Sequence, residues 1–564
     1  MSRQVQSVVK TITRNARRRL LVAWLMLRLR GPNQIQFWFL ALLIGIAAGG
    51  AALAFRNGIS AVQQLSYGTE DVMAAAQSGA LPWWLVLMVP TLGGLIVGLI
   101  LHRFTPDGRV RAVAEVIEGA ALHDGRVEKR AGLASAVASM ITLGAGGSSG
   151  REGPVVHLAA VISSWVSIRI NAGGITGRDL LGCAVAAGVS ASFNAPIAGT
   201  IFALEVVLRH YAVHAFAPIA IAAVAGTVVS RLQFGDVTEF TLPDESALAF
   251  YVELPAFMLL GLLCGLVAVV LIRSVFWAED VGNLVQERLG LARWLRPAVA
   301  GAILGVLAIG FPHIIGVGYE VTSQALTGQL LLHEAIVFCI VKVAAVAITL
   351  GGRMGGGIFS PALVVGALTG LAFGLVATGI FPDVSGAETL YALAGMGAVA
   401  AAVLGAPIST TLIVFELTGD WQTGLAVMTA VSLSTALSSR LVERSFFLAQ
   451  LDRRGVRLSR GPQAYLLKLV PVARVMRGLD APDAAPRDTL DKLMERGIQV
   501  AEGATLDDAM PQFDSHGVAV IPVVRPPVDA ASDARPVPVG SLHHVDALKA
   551  YNRALSRIAE EEHS

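Results

Sequence analysis

The sequence predicts an all-α polytopic membrane protein built from two repeated halves, followed by a small α/β domain. Three observations carry that expectation. Of 564 residues, 54% are hydrophobic and only 15% charged, against about 25% charged in soluble domains. Continuous apolar runs long enough to cross a bilayer recur along the chain. Turns rich in glycine and proline interrupt those runs at matching intervals. Strands of a membrane β-barrel would alternate apolar and polar residues instead.

Residues 1–33 carry Arg3, Lys10, Arg14, Arg17, Arg18, Arg19, Arg28 and Arg30 and no acidic residue. That bias predicts a cytoplasmic N-terminus, with 14–30 as an amphipathic helix on the inner surface. Two runs follow, FWFLALLIGIAAGGAALAF and LPWWLVLMVPTLGGLIVGLIL, each about the ~20 residues that span the hydrocarbon layer. Further runs fall near 180–206, 215–231, 255–273, 296–310, 335–351, 360–381, 389–416 and 424–441. The charged stretch at 272–297 reads as a membrane-parallel or cytoplasmic helix linking two halves or two helices. Cys183, Cys264 and Cys339 lie inside apolar runs and read as small buried hydrophobes. Neither a disulfide framework nor metal-ligand spacing is present, and nothing in the composition points to nucleic acid. The membrane body is expected over 34–455, in repeats of about 34–250 and 251–450, with the tail at 456–564.

The repeat rests on two motifs. Ala195-Pro196-Ile197, Thr200 and Glu205 match Ala406-Pro407-Ile408, Thr411 and Glu416, an offset of 411 − 200 = 211. The glycine turn ending at Pro154 matches the one ending at Pro361, an offset of 361 − 154 = 207. Repeated halves are a transporter feature, with the site at their interface near the midplane.

Both glycine turns lie at membrane depth, where a bare backbone N–H costs several kcal/mol. A turn that feeds a helix N-terminus aims several N–H groups and a positive dipole end at one point. A dehydrated anion satisfies them without a fixed positive charge that would hold it too long. Pro154 and Pro361 suit a first helical turn, where no N–H is needed. Glu152 then stands out. Its carboxylate is drawn by the same N–H groups, so it competes with the anion, and protonation releases it. An intramembrane acid that competes with an anion is a gate. A salt bridge to Arg151 is disfavoured, because adjacent residues on a helix do not face each other.

The stretches GSSGREGPVV, FNAPIAGTIFALE, GGGIFSPALVVGA and GAPISTTLIVFELTGDW resemble the motifs of the CLC chloride channels and transporters, over about 34–455. The resemblance implies a homodimer of inverted-repeat helical subunits in a plasma membrane, with cytoplasmic termini and a pore in each subunit. It implies chloride and protons as the transported species and Glu152 as the gating and proton-coupling glutamate. It places anion sites at Arg151, Gly153, Ile358, Phe359 and Ser360. Three positions depart from the pattern. The family's first anion turn aligns with 110–115, where Arg111 is the residue able to attract an anion, unless it sits among solvated charges. The hydroxyl-bearing tyrosine of the central site aligns with Phe447, whose ring offers only a positive edge. An inner proton-handling glutamate aligns with Val206. A proton-coupled antiporter and a passive gated channel therefore both remain open. No constellation supports an enzyme.

Four other residues complete the reading. Glu205 and Glu416 are expected to satisfy backbone donors. Lys342 either attracts anions or pairs with an acid. His157 packs between helices, a proton relay being the alternative. In the tail, VARVMRG and the stretch VAEGATLDDAMPQFDSHGVAVIPVV through PVPVGSLHHVDALKAY resemble cystathionine-β-synthase (CBS) regulatory repeats, the first eroded between 480 and 498. Strands are expected at VAVIPVV and PVPVGSL, with RPPVDAASDARP a surface loop. Paired repeats of this kind bind adenine nucleotides. With the first copy eroded, the expectation is a packing domain without ligand or cofactor.

Overall fold

The computed structural model describes residues 32–211, 213–235, 250–382, 385–456, 458, 467, 470–525 and 537–563. The basic segment before Pro32, its expected amphipathic helix, and nearly all of the RPPVDAASDARP loop lie outside the described residues. The chain divides into two units, Met1–Tyr211 with Ala215–Val456, and Arg457–Ser564 with Ala212–His214.

The first unit is helical. It opens with α1 (Gln34–Tyr67), α2 (Val72–Gln77) and α3 (Trp83–Phe104). Then follow α4 (Val113–Leu122), α5 (Lys129–Gly144), α6 (Glu152–Ile170), α7 (Gly174–Phe193), α8 (Pro196–Phe202) and α9 (Val213–Phe234). The second half runs α10 (Phe250–Arg288), α11 (Arg296–Gly310), α12 (Tyr319–Leu326), α13 (Leu332–Gly351), α14 (Phe359–Ile380), α15 (Glu388–Leu404), α16 (Pro407–Thr418), α17 (Trp421–Leu441) and α18 (Phe446–Asp452). Among the described residues, nine helical segments are long and apolar enough to cross a membrane. Tall exposed apolar faces, such as Leu92, Ile96 and Leu99 on α3, fit a lipid environment.

The order α5–α6–α7–α8 recurs as α13–α14–α15–α16. Two expected single spans are broken helices in the structure. The run at 180–206 stops at Asn194 (φ 57°) and restarts at Pro196. The run at 389–416 stops at Gly405 (φ 69°) and restarts at Pro407. A left-handed residue ends each helix, and a proline two residues later begins the next.

The charged stretch at 272–297 is not a separate helix. Its first part continues α10 to Arg288, and its end forms a short 3₁₀ turn, Arg293–Leu295, before α11. No proline lies between 256 and 296 to break it. Buried Arg296 fastens the extension, donating to Gly351 O (2.6 Å), Glu279 O (2.8 Å) and Asn283 Oδ1 (2.6 Å). The helices α3 and α11 cross closely, and a Cβ on Gly98 or Gly301 would collide with the carbonyl of Trp294 or Pro90. Small residues at such crossings let membrane helices approach.

The second unit holds α19 (Arg487–Glu495), α20 (Leu506–His516) and α21 (His544–His563) around a four-stranded sheet. Its strands are β1 (Arg477–Gly478), β2 (Val500–Ala501), β3 (Val520–Arg525) and β4 (Val537–His543), in the order β1-β4-β3-β2. β2 and β3 are parallel, and the other pairs antiparallel. The segments read as two CBS-like copies fold as one unit. Arg477 of VARVMRG pairs with Ser541 in the same sheet. Val472, Leu493, Ile498, Phe513, Ile521 and Leu542 share one core. The stretch read as eroded carries α19, whose Leu493 contributes to that core.

Candidate functional site

The two glycine turns meet. Gly150 N donates to Gly357 O (2.7 Å), and Gly357 N donates to Gly150 O (2.8 Å). The pairing is reciprocal beyond these bonds. Gly355 N donates to Thr142 Oγ1 (2.8 Å), while Ser148 N donates to Thr349 Oγ1 (3.2 Å). The offsets 349 − 142, 355 − 148 and 357 − 150 all equal 207, so each half supplies the other with the same bond. Gly356 holds φ 122°, and a Cβ there would run into Ser149. Only glycine serves at such a turn.

These contacts bring the N-termini of α6 and α14 together. A Cβ on Gly153 would lie 3.2 Å from Gly357 Cα. The first-turn N–H groups of both helices lack intrahelical acceptors, and Pro154 and Pro361 have none to offer. Glu152 is the first residue of α6 and is 1% exposed. Its Oε1 accepts from Ser360 Oγ (2.5 Å) and from Tyr319 Oη (2.8 Å). Its Oε2 is buried without a hydrogen-bond partner. The carboxylate therefore sits inside the protein, between the two helix starts, and does not face lipid.

The other predicted residues fall into place unevenly. Arg151 turns away along its own path. Its guanidinium donates to Ser192 O (3.1 Å) and stacks over the Tyr319 ring at 4.9 Å. Ile358, Phe359 and Ser360 are all buried, and the Phe359 ring lies 4.9 Å from that of Phe193. Phe447 is buried and lines one cavity together with Gly153, Gly357, Ile358 and Phe359. Three arginines, Arg109, Arg353 and Arg454, and one carboxylate, Glu279, also line that cavity.

Arg111 takes the second of its two expected settings, among charged side chains. It does not line this cavity, and it is paired with Asp107 (2.9 Å) and Glu128 (3.4 Å). Burial pushes the Asp107 carboxyl up, but the hydrogen bond and charge of Arg111 outweigh this and hold it below the usual range. At the turn before α4, Glu115 Oε2 accepts from Ala112 N (2.7 Å). Burial, with the charges of Arg109 and Arg111, pushes Arg454 down to about 10. Its partner is Glu115.

Tyr319 escaped the sequence reading. It lies 167 positions from Glu152 and reaches it only through the fold. The signal for it was the glycine pair Gly316 and Gly318, both at positive φ immediately before α12. Lys342 braces this loop, donating to Ile314 O (3.3 Å) and Gly316 O (3.2 Å). Among the described residues it pairs with no acid, and it does not line that cavity. Glu205 and Glu416 cap the broken helices across the repeat. Glu416 accepts from Ile197 N (2.9 Å) and Ala198 N (2.7 Å), and Glu205 from Ile408 N (3.0 Å) and Ser409 N (2.8 Å). A π-helical stretch, Ala203–Leu208, carries Glu205.

Such a fold, with paired broken helices meeting at a buried acid, defines an integral multi-pass membrane protein of an anion-transport class. The chain belongs to the voltage gated chloride channel family, whose profile matches residues 93–439. Its members are channels and transporters, not enzymes. A ClcB-like chloride channel protein of Ralstonia nicotianae is 33% identical over 392 residues, covering 69% of this chain and 90% of that relative. The solved structure of a slow cyanobacterial Cl−/H+ antiporter superposes with a TM-score of 0.66 at 21% identity, covering 75% of this chain and 98% of that one. A eukaryotic CLC transporter gives 0.65 at 18% identity, covering 90% and 97%.

Proposed function

We propose that this protein exchanges chloride, or a similar small anion, for protons across a bilayer, with Glu152 as the gate and proton acceptor. One observation carries the reading. The Glu152 carboxylate is buried where the N-termini of α6 and α14 converge, held by two hydroxyl donors. A negative group in that position stands where a dehydrated anion would be stabilised. Protonation removes its attraction to the donors and leaves them to the anion. The first-turn N–H groups of Gly153, Phe359 and Ser360, beside Ile358, form the anion site. Arg109, Arg353 and Arg454 draw anions into the adjoining cavity. Chloride is the cargo named for the Ralstonia relative, and exchange is named for the cyanobacterial structure. The working form is a homodimer with both termini in the cytoplasm, and the tail is a CBS-like regulatory domain without bound nucleotide.

A passive gated channel is the second reading. Phe447 offers no hydroxyl to a central ion, and Val206 has no proton to exchange. Reconstitution in liposomes separates the two. With a pH gradient imposed, antiport shifts the reversal potential away from the chloride value, and a channel leaves it there. Glu152→Gln is expected to abolish the shift. Chloride flux and pH response both unchanged by that substitution would end the gate assignment.

A further inference from the structure

A separate cavity of about 470 Å³ lies where α3 ends and α11 begins. It shares no lining residue with the cavity that Phe447 lines. Gly98, at the close crossing of the two helices, is part of its wall. The basic residues around it are His102 and Arg103 of α3 and Arg293 of the 3₁₀ turn, and its aromatic ones are Phe104 and Trp294. Among the described residues no carboxylate lines it, and neither arginine joins an ion pair. The Arg103 guanidinium lies over the Phe104 ring at 5.5 Å.

A basic residue at the end of a spanning helix is common, and His102 and Arg103 also complement the negative end of the α3 dipole. Here, however, arginines from two chain segments share one cavity that has no acid to neutralise them. The setting above it is apolar. Ile96 and Leu99 on α3 and Val299 and Ile303 on α11 are exposed. Leu99 and Ile96 lie four and seven residues before Arg103, roughly 6 and 10 Å back along the helix. From the middle of the body toward this end, the side chains therefore run apolar, aromatic, cationic. A phospholipid has the same order, from acyl chains through the glycerol level to the phosphate, and tryptophan favours that interfacial level. Basic pockets between spanning helices suit anionic headgroups, and a guanidinium can grip two phosphate oxygens at once.

We propose that this cavity binds one anionic phospholipid. Arg103 and Arg293 hold its phosphodiester, and its acyl chains lie along Leu99 and Ile96 of α3 and Val299 and Ile303 of α11. A choline headgroup would find no carboxylate there to meet its ammonium, so the site selects for net negative charge. On the topology proposed above, α1 leads out and α3 returns, which places the site in the inner leaflet. The inference is independent of whether transport is coupled or passive.

Native mass spectrometry of the full-length protein in detergent tests this by titration with phosphatidylglycerol. An arginine beside an anionic surface is worth about fivefold in binding. Replacing both, Arg103→Ala with Arg293→Ala, should weaken the first bound phosphatidylglycerol roughly 25-fold. Both side chains are exposed, so the fold should persist, and the same spectra report it. Arg103→Lys with Arg293→Lys keeps the charge and should lose less than about fivefold. Arg440→Ala removes an exposed arginine from the last turn of α17, outside the cavity, and should change nothing. Phosphatidylcholine should bind wild type at least tenfold more weakly. A double alanine variant that loses no more than Arg440→Ala overturns the proposal, because scattered surface charge then explains the binding. Equal affinity of wild type for the two lipids overturns it as well. If free glycerol 3-phosphate binds as tightly as phosphatidylglycerol, the occupant is a soluble phosphate and the lipid assignment falls.

Discussion

Tyr319→Phe offers a direct measure of how firmly the gate is held. The substitution keeps the ring beneath the Arg151 guanidinium and removes only the hydroxyl that donates to Glu152 Oε1 at 2.8 Å. A hydrogen bond to a charged group contributes about 1.5–3 kcal/mol. Ser360 Oγ remains as the second donor. When the carboxylate leaves, the same tyrosine can donate to the incoming anion, so only the difference between the two bonds shifts the competition. A diffuse halide accepts about half as strongly as a carboxylate on the energies above. The net change is about 0.8–1.5 kcal/mol in favour of the anion, and about 1.4 kcal/mol is tenfold in Kd. Chloride titration calorimetry on the detergent-purified protein should show binding about four- to twelvefold tighter. In a Glu152→Ala background no carboxylate competes, and the same Tyr319→Phe change should weaken binding instead. The double-mutant cycle thus predicts a reversal of sign. An effect of the same sign in both backgrounds would refute the competition between carboxylate and anion.

Two further outcomes follow from other contacts. Glu416→Ala strips acceptors from Ile197 N and Ala198 N, each worth about 1–3 kcal/mol when left unsatisfied. Unfolding followed by tryptophan fluorescence should show a loss of roughly 2–6 kcal/mol, with Glu416→Gln losing about half. Wild-type stability in the alanine variant would remove the cross-repeat caps from the account. In the tail, the hydrogen bond from Arg477 (2.7 Å) holds the Asp546 carboxyl below its usual range. A carboxyl lowered by folding contributes stability above its unfolded value of about 4 and loses it as pH falls through the folded one. Amide-exchange protection in β1 and β4 should drop as pH falls below about 4, and Asp546→Asn should abolish that acid step.

Much of the membrane body was legible because its signals are local. Apolar length gives the spans, and glycine with proline gives the breaks. Two motifs at offsets of 207 and 211 give the repeat. Glu152 could be singled out because an acid at a glycine turn in an apolar run is costly without a purpose. Other features were not legible for an equally physical reason. Arg111 pairs with Asp107 and with Glu128, which is 17 positions away, and no helical spacing announces the second of those contacts. The continuity of α10 to Arg288 depends on Arg296 binding carbonyls from two other segments. In the tail, strands of two residues, β1 and β2, are too short to leave a pattern.

By itself, then, the sequence determined a multi-span helical body, two matched turns, and an acid placed among backbone donors. Periodicity and turn chemistry act over a few residues, and those features need nothing more. Only the tertiary structure decided that Tyr319 and Ser360 hold the acid and that Glu205 and Glu416 cap helices of the opposite repeat. Each depends on groups 167 to 219 positions apart being packed together, and no local rule encodes such a meeting.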